Sequence, residues 1–369
     1  MFWRKKRTYL DCAAGVAGNP SSPHEEGRRS REVLEGARTD IARLLEVQTD
    51  DVIFTSGATE ANALAILGVV RSRQKAVGSK KIHVLYLPSA HASAVENMKL
   101  LKEEGVEVEE LPIKNYQVDI EALKKMIRTE TVLVSMDAVC GETGIVWNTR
   151  EVKNAIGKIY LHVDASQAPL TEKITRAHFG ADLLTLDASK VGPVRGIGAL
   201  IAHRTIPIKP LYRGGGQERG LRSGSEAPEL AKRFAAALGA AAIGREEFRA
   251  RAERARISLI GLIRPIPGIL LNESRDQAPH ILNLSFPGRD TDYLVALLDE
   301  EGFAVSTRSA CETDSETGSR AVFALTGDSE RAKTTLRISW GPGVGNRDFP
   351  RFAKALAEAV QFIDNRKER

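Results

Sequence analysis

Tyr160-Leu-His-Val-Asp-Ala-Ser-Gln167 and, shortly after it, Asp182-Leu-Leu-Thr-Leu-Asp-Ala-Ser-Lys-Val-Gly-Pro193 decide how this chain is organised. Each is a short, mostly apolar run that breaks into small polar residues just after a charged one, which is how a buried strand reads where it ends. An acid at the end of a buried strand, Asp164, is costly unless it meets a cation or several hydrogen-bond donors. Asp is also a favoured helix N-cap, so the motif alone leaves that role open for Asp164. Lys190 follows the second strand, and Gly-Pro stops regular structure just beyond it. A lysine placed there can be partly desolvated, as a nucleophilic amine must be; a lysine taken at random is simply a surface residue.

The same pattern extends in both directions. Strands are predicted at 52–55, 81–87, 106–111 and 131–136, then at 158–163, 182–186 and 198–202, with helical stretches between most of them. Such alternation implies right-handed crossovers and a mostly parallel sheet covered on both faces. Ligands of such sheets sit at the carboxyl ends of the strands. Ser56 to Glu60, His91, Glu142, Asp164 and Lys190 all fall there, and five placements together mark a site.

A long Ala/Arg/Glu-rich helix is predicted from about 226 to 262, followed by Pro265-Ile-Pro-Gly268. Beyond it come strands at 281–286, 303–306 and 335–339 and helices at 291–301 and 348–365. The expected fold is α/β, in two units. Residues 15–262 form a large domain whose mostly parallel sheet is flanked by helices. Residues 1–14 and 263–369 form a smaller α+β domain.

Composition narrows the function classes. The chain has 369 residues, 42% hydrophobic and 27% charged, with a formal net charge of +5. Its basic residues are interleaved with acids, and the clusters at 1–7 and 245–256 read as solvated faces, so no nucleic-acid partner is expected. No window is apolar enough to span a membrane, and only Thr8-Tyr-Leu10 separates the N-terminal basic cluster from Asp11. That leaves no signal core, and a cytoplasmic protein is expected. Three cysteines, Cys12, Cys140 and Cys311, are too few and too scattered for a disulfide framework. With seven dispersed histidines they predict no metal site.

Four further features can carry chemistry. Thr55-Ser-Gly-Ala-Thr-Glu-Ala61 is a small-residue turn opening onto a helix, able to cradle a phosphate with Ala58 and Thr59 or merely to cap that helix. His91 could stack on a planar ring or shuttle protons, and equally could be a satisfied polar residue. Cys311 lies in a run without large apolar residues, the setting of an accessible thiol, reactive or inert. Arg337, in a strand-like run, offers a bidentate fork for a carboxylate or an ordinary ion pair.

Taken in order, these segments resemble the cysteine desulfurases, pyridoxal 5′-phosphate (PLP) enzymes of the class V aminotransferase group. Tyr9-Leu-Asp-Cys-Ala-Ala14 and Gly18-Asn-Pro-Ser-Ser-Pro-His24 are similar to the opening of that family, and 54–61 to its phosphate turn. Val163-Asp-Ala-Ser-Gln167, Lys190, Gly196-Ile-Gly-Ala199, Gly214 to Gly220, Arg222-Ser-Gly-Ser225, Ser309-Ala-Cys311 and Leu336-Arg-Ile-Ser339 follow. The resemblance implies fold type I of the PLP-dependent transferases, a homodimer, L-cysteine as substrate and a protein acceptor for the sulfur. It implies a Schiff base on Lys190, Asp164 at the pyridine nitrogen, Gln167 at the ring hydroxyl and His91 stacked on the ring. Ala58, Thr59 and Ser189 would hold the phosphate, together with Ser225 from the partner subunit. Arg337 would take the α-carboxylate, and Cys311 would attack sulfur, leaving alanine and a persulfide destined for iron–sulfur clusters, thiolated tRNA or another use. A selenocysteine lyase, another lyase or aminotransferase of the group, and a non-catalytic scaffold are the competing expectations.

The chain departs from that family at several points. Asp187-Ala-Ser189 stands where a Ser/Thr, a small residue and a histidine usually precede the lysine. A carboxylate at 187 repels a phosphate unless it points away. Cys140-Gly141 replaces an asparagine pair, Arg308 replaces a glycine, and the segment between Ala14 and Gly18 is short.

Overall fold

The computed structural model describes residues 7–77, 81–307, 318–345 and 347–367. Its strands are β1 (Val52–Thr55), β2 (His83–Tyr86), β3 (Glu107–Glu110), β4 (Ile113–Lys114), β5 (Gln117–Val118) and β6 (Thr131–Asp137). Then come β7 (Tyr160–Asp164), β8 (Leu183–Asp187), β9 (Gly198–Ala202), β10 (Leu270–Leu271), β11 (Ile281–Ser285) and β12 (Thr335–Ser339).

Seven of them form one sheet in the order β1-β9-β8-β7-β6-β2-β3. Pairing is parallel from β8 to β3, while β9 runs antiparallel to both of its neighbours. This is the mostly parallel α/β sheet expected. The central strands are apolar and buried along nearly their whole length, as covering both faces requires. Register does the functional work: Asp137 of β6 lies opposite Asp164 of β7, so two acids end neighbouring strands.

Gly198, where β9 begins, is dictated by a close approach. A Cβ there would sit 2.7 Å from the Leu186 carbonyl oxygen and 2.8 Å from the backbone of Gly57. Without a side chain at 198, the turn after β1 can press against the end of β8.

β10, β11 and β12 form a second sheet. Two buried cores result, and the helix Pro228–Ile263 serves both. Phe234 and Leu238 pack into the first core, and Phe248, Ala252 and Leu259 into the second, with Leu282 and Leu356. Residues 248–263, grouped with the large unit on sequence grounds, therefore pack with the smaller one. The hydrogen bonds of Arg7 and Asp11 reach Ser22, His24 and Glu26 at the start of the helix Glu25–Leu45, whose inner face belongs to the first core.

The predicted strand at 303–306 does not form. Only Ser306 pairs, exchanging both backbone bonds with Arg337, while Phe303 turns its ring edge-on to Phe352. The 214–225 loop is pinned by a buried pair: Glu218 accepts from Arg38 at 2.7 and 2.8 Å and from the Phe54 amide at 2.8 Å. These bonds hold Glu218 and Arg219 at φ of 46° and 60°. Among the described residues no helix is long and apolar enough to cross a membrane.

Candidate active site

A cavity of about 280 Å³ opens at the carboxyl ends of β1, β6, β7 and β8. Ala58, Thr59, His91, Glu142, Asp164, Gln167, Ser189, Lys190 and Arg337 all line it. Nine residues named as site candidates on the sequence thus meet around one space. Lys190 ends the short 3-10 turn that follows β8, and it is the only lysine lining the cavity among the described residues.

Asp164 is buried and doubly bonded. One oxygen accepts from the Ser166 amide at 2.9 Å, the other from Asn62 Nδ2 at 2.6 Å. It is therefore not the helix cap that the motif left open: it stays on the strand end, facing the cavity. Asn62 passes its second amide proton to Ser93 Oγ at 2.8 Å, and Ser93 Oγ lies 2.8 Å from His91 Nδ1. Ser93 also gives its backbone N–H to Nδ1. With Nδ1 accepting, the neutral ring of His91 carries its proton on Nε2. A hydrogen-bond chain thus joins the acid at 164 to the ring at 91. Sequence reasoning missed Asn62, one turn inside its helix, and Ser93, the second residue of the helix Ala92–Glu103, because nothing local distinguishes them.

It also missed Asp137. Burial and the adjacent Asp164 push the Asp137 carboxyl well above the usual carboxylate range, against the opposing bond from the His91 amide. Its Oδ1 has no partner. Because the folded state holds this proton more tightly than the unfolded chain, the stability gained is fully present below about pH 4 and is lost as pH rises. Asp137→Asn, which has no proton to lose, is expected to leave the cofactor-free protein's stability little changed at pH 4. Its advantage should then grow by up to about 1.4 kcal/mol per pH unit toward neutrality. Urea unfolding midpoints at pH 4 and pH 8 measure this, and equal effects at both would refute a protonated Asp137.

At the other end, Ala58 opens the helix Ala58–Val77, which directs backbone N–H groups and a positive dipole end toward the cavity. The Ser56 amide is taken by Glu60 at 2.5 Å and the Ala58 amide by Asp187 at 2.8 Å. Asp187 does not point away, as a neighbouring phosphate would require; it turns into the cradle.

Arg337 Nη1 donates to the Gly141 carbonyl at 3.2 Å, and its buried Nε has no partner. Gly141 packs closely on Gln167: a Cβ at 141 would lie 3.1 Å from Nε2 of that side chain, which would have to give way. Arg320, a second cavity-lining arginine that the sequence did not single out, donates to the Ala90 carbonyl at 2.9 Å and so fixes the turn carrying His91. Cys140 is buried, its thiol pushed up to about 11 by burial and by Asp137. That makes it an inert packing group. Ser225 is exposed in the loop before the helix Pro228–Ile263 and does not line this cavity. Cys311, with Arg308, lies outside the described residues. Among the described residues no His/Cys/Asp/Glu cluster could hold a metal ion.

The donor set suits a planar pyridine aldehyde. A buried carboxylate waits at one end and an amine stands on the cavity wall. Ser89 Oγ, Ser166 Oγ, Asp137 Oδ1 and Arg337 Nε, all on lining residues, are buried without partners. Such orphaned groups are costly unless a ligand satisfies them.

Known proteins carry the same organisation. The sequence profile of the aminotransferase class-V family matches residues 7–344. Cysteine desulfurase IscS 1 of Archaeoglobus fulgidus is 33% identical over 350 residues, covering 94% of this chain and 90% of its own. The mitosomal cysteine desulfurase of Encephalitozoon cuniculi is 35% identical over 355 residues, covering 94% and 81%. A solved NifS-like protein superposes with a TM-score of 0.85 at 28% identity, covering 94% of this chain and 92% of that one. With its acid, its lysine and its strand order in place, this chain belongs to the class-V aminotransferase family, among the cysteine desulfurases.

Proposed function

We propose that the chain removes sulfur from L-cysteine, releasing L-alanine and holding the sulfur as a persulfide on Cys311. The enzyme is PLP-dependent, as its family is. The observation that carries the reading is the convergence of Lys190, Asp164 and Arg337 on one cavity. When bound, PLP supplies an electron sink conjugated to the substrate's α-carbon.

The remaining work falls to the chain's own groups. Lys190 anchors the vitamer and carries a proton between the substrate's α-carbon and the carbon beyond it. Asp164, fixed by Asn62 and Ser166, would keep the ring nitrogen protonated. His91, oriented by Ser93, would cover the ring, and Gln167 would meet its hydroxyl. Thr59 and Ser189 face the phosphate end. Arg337 receives the α-carboxylate and thereby sets which substituent faces the thiol. The thiolate of Cys311 forms a bond to the substrate sulfur as the carbon–sulfur bond breaks. One cysteine and one enzyme thiol become one alanine and one enzyme persulfide.

The test supplies L-cysteine to protein purified with the vitamer, quantifies alanine, and locates persulfide by alkylation and mass analysis. Cys311→Ala is expected to abolish the persulfide and to slow turnover by at least about a hundredfold, with the visible absorbance of the bound vitamer unchanged. Sulfide release undiminished in that variant would reject the reading.

A homodimer, a protein sulfur acceptor and a cytoplasmic setting belong to the same proposal. Ser225, exposed and not among the residues lining its own chain's cavity, supports the dimer, in which it would reach a second copy's phosphate end.

A further inference from the structure

The phosphate end of the cavity is filled by the chain's own negative charge. Asp187 Oδ2 accepts the Ala58 amide at 2.8 Å, and Oδ1 accepts the amide and hydroxyl of Ser189 at 2.8 and 2.6 Å. Oδ2 also lies 3.2 Å from where a Cβ of Gly57 would stand, so the carboxylate is seated inside the turn. The Ser56 amide is already given to Glu60, and Glu60 Oε1 in turn takes the Tyr212 hydroxyl at 2.6 Å and lies 3.5 Å from Arg222 Nε. The amides of Ser56, Ala58 and Ser189 and the Ser189 hydroxyl are therefore engaged by two carboxylates, which leaves Thr59 as the remaining donor of the turn.

Among the described residues, none of the cavity's cations is paired with these two carboxylates. The lining arginines, Arg320 and Arg337, bond the carbonyls of Ala90 and Gly141 near the ring and substrate, and Lys190 is the covalent anchor. A phosphate dianion entering here meets a like charge, with the Ala58 and Ser189 donors already given to Asp187, in a partly enclosed site where repulsion is stronger than in water.

We infer that the Asp187 carboxylate stands in for the phosphate at the start of the helix Ala58–Val77, so that this enzyme holds its cofactor by the ring and the lysine and discriminates little between PLP and pyridoxal. This rests on the cavity being a PLP site. Asp187 is then the residue that sets phosphate dependence, and a neutral side chain at 187 restores it.

The test strips the holoprotein of cofactor and titrates it back with PLP or with pyridoxal, following visible absorbance, for wild type, Asp187→Ser and Asp187→Asn. Wild type is expected to prefer PLP by no more than about a hundredfold, a small margin for a doubly charged group. Asp187→Ser should tighten PLP by about tenfold or more while leaving pyridoxal within about threefold. If the serine variant fails to fold, Asp187→Asn keeps an oxygen acceptor for the Ala58 amide without the charge, and the same shifts are expected. A larger wild-type preference, or a neutral variant that binds PLP no better, overturns the inference. Borohydride-reducible adducts on Lys190 separate the two failures. Adducts with a strong phosphate preference remove only the role of Asp187, whereas no adduct with either vitamer removes the PLP site and the inference with it.

Discussion

Lys190→Ala is expected to lower the conversion of cysteine to alanine by more than about 10⁴-fold, because one change removes both covalent anchorage and the proton carrier. Among the described residues no lysine other than Lys190 lines the cavity, and neither the guanidinium of Arg320 or Arg337 nor the imidazole of His91 can replace a primary amine as the covalent anchor. The loss should not be one of folding. Lys190 is exposed at the end of a 3-10 turn held by backbone bonds, including Val191 N to the Ala188 carbonyl at 3.2 Å. Thermal midpoints should therefore stay within about 2 °C, as for surface changes generally. Borohydride reduction and peptide mapping read the anchor, and single-turnover alanine yield reads the chemistry. A small amine added to the variant should recover part of the proton transfer without restoring an adduct at 190. A variant that kept both its adduct and its turnover would place the chemistry on another residue.

Asp164→Ala should cost about 10² to 10³ in kcat with a much smaller change in KM, the loss typical when a preorganised charge aimed at the reacting system is removed. The carboxylate is buried, bonded by Asn62 and Ser166, and next to an acid that burial keeps protonated. It is thus a carboxyl group fixed in a poorly screened place, the condition under which it can act strongly on a ring nitrogen. Asp164→Asn retains the shape and loses the charge, so it should fall nearly as far. Asn62→Ala leaves the charge but frees its orientation, and a milder loss of about tenfold is expected. Binding titrations with PLP should weaken in the same rank order. If Asp164→Asn turned over like wild type, the ring nitrogen would not depend on this acid. Removing the charge should also relieve Asp137, which would then titrate closer to the ordinary range; the pH dependence of unfolding detects that shift.

The architecture was legible because its signals are local. Apolar runs of strand length, separated by helical periodicity, specify a mostly parallel sheet, and such a sheet has its ligand end where the strands stop. Asp164, Lys190, His91 and the turn at 56–60 could therefore be named from order along the chain. The run at 303–306 misled because a strand needs a partner along its length, and only Ser306 came alongside one. The helix Pro228–Ile263 hid its division of labour because a continuous helical pattern does not say which core each half will meet.

What the sequence determined by itself was the strand-and-helix order and the set of residue types that such an order brings to the carboxyl ends. What only the tertiary structure decided was who meets whom there: Asn62 reaching Asp164, Asp137 lying beside it, and Asp187 turning into the Ala58 turn rather than away. The reason is physical. Strand order and register are fixed by burial summed over the whole sheet, and a side chain's direction by donors from segments more than a hundred residues distant, as Ala58 is from Asp187. Neither quantity is written in any short stretch of residues.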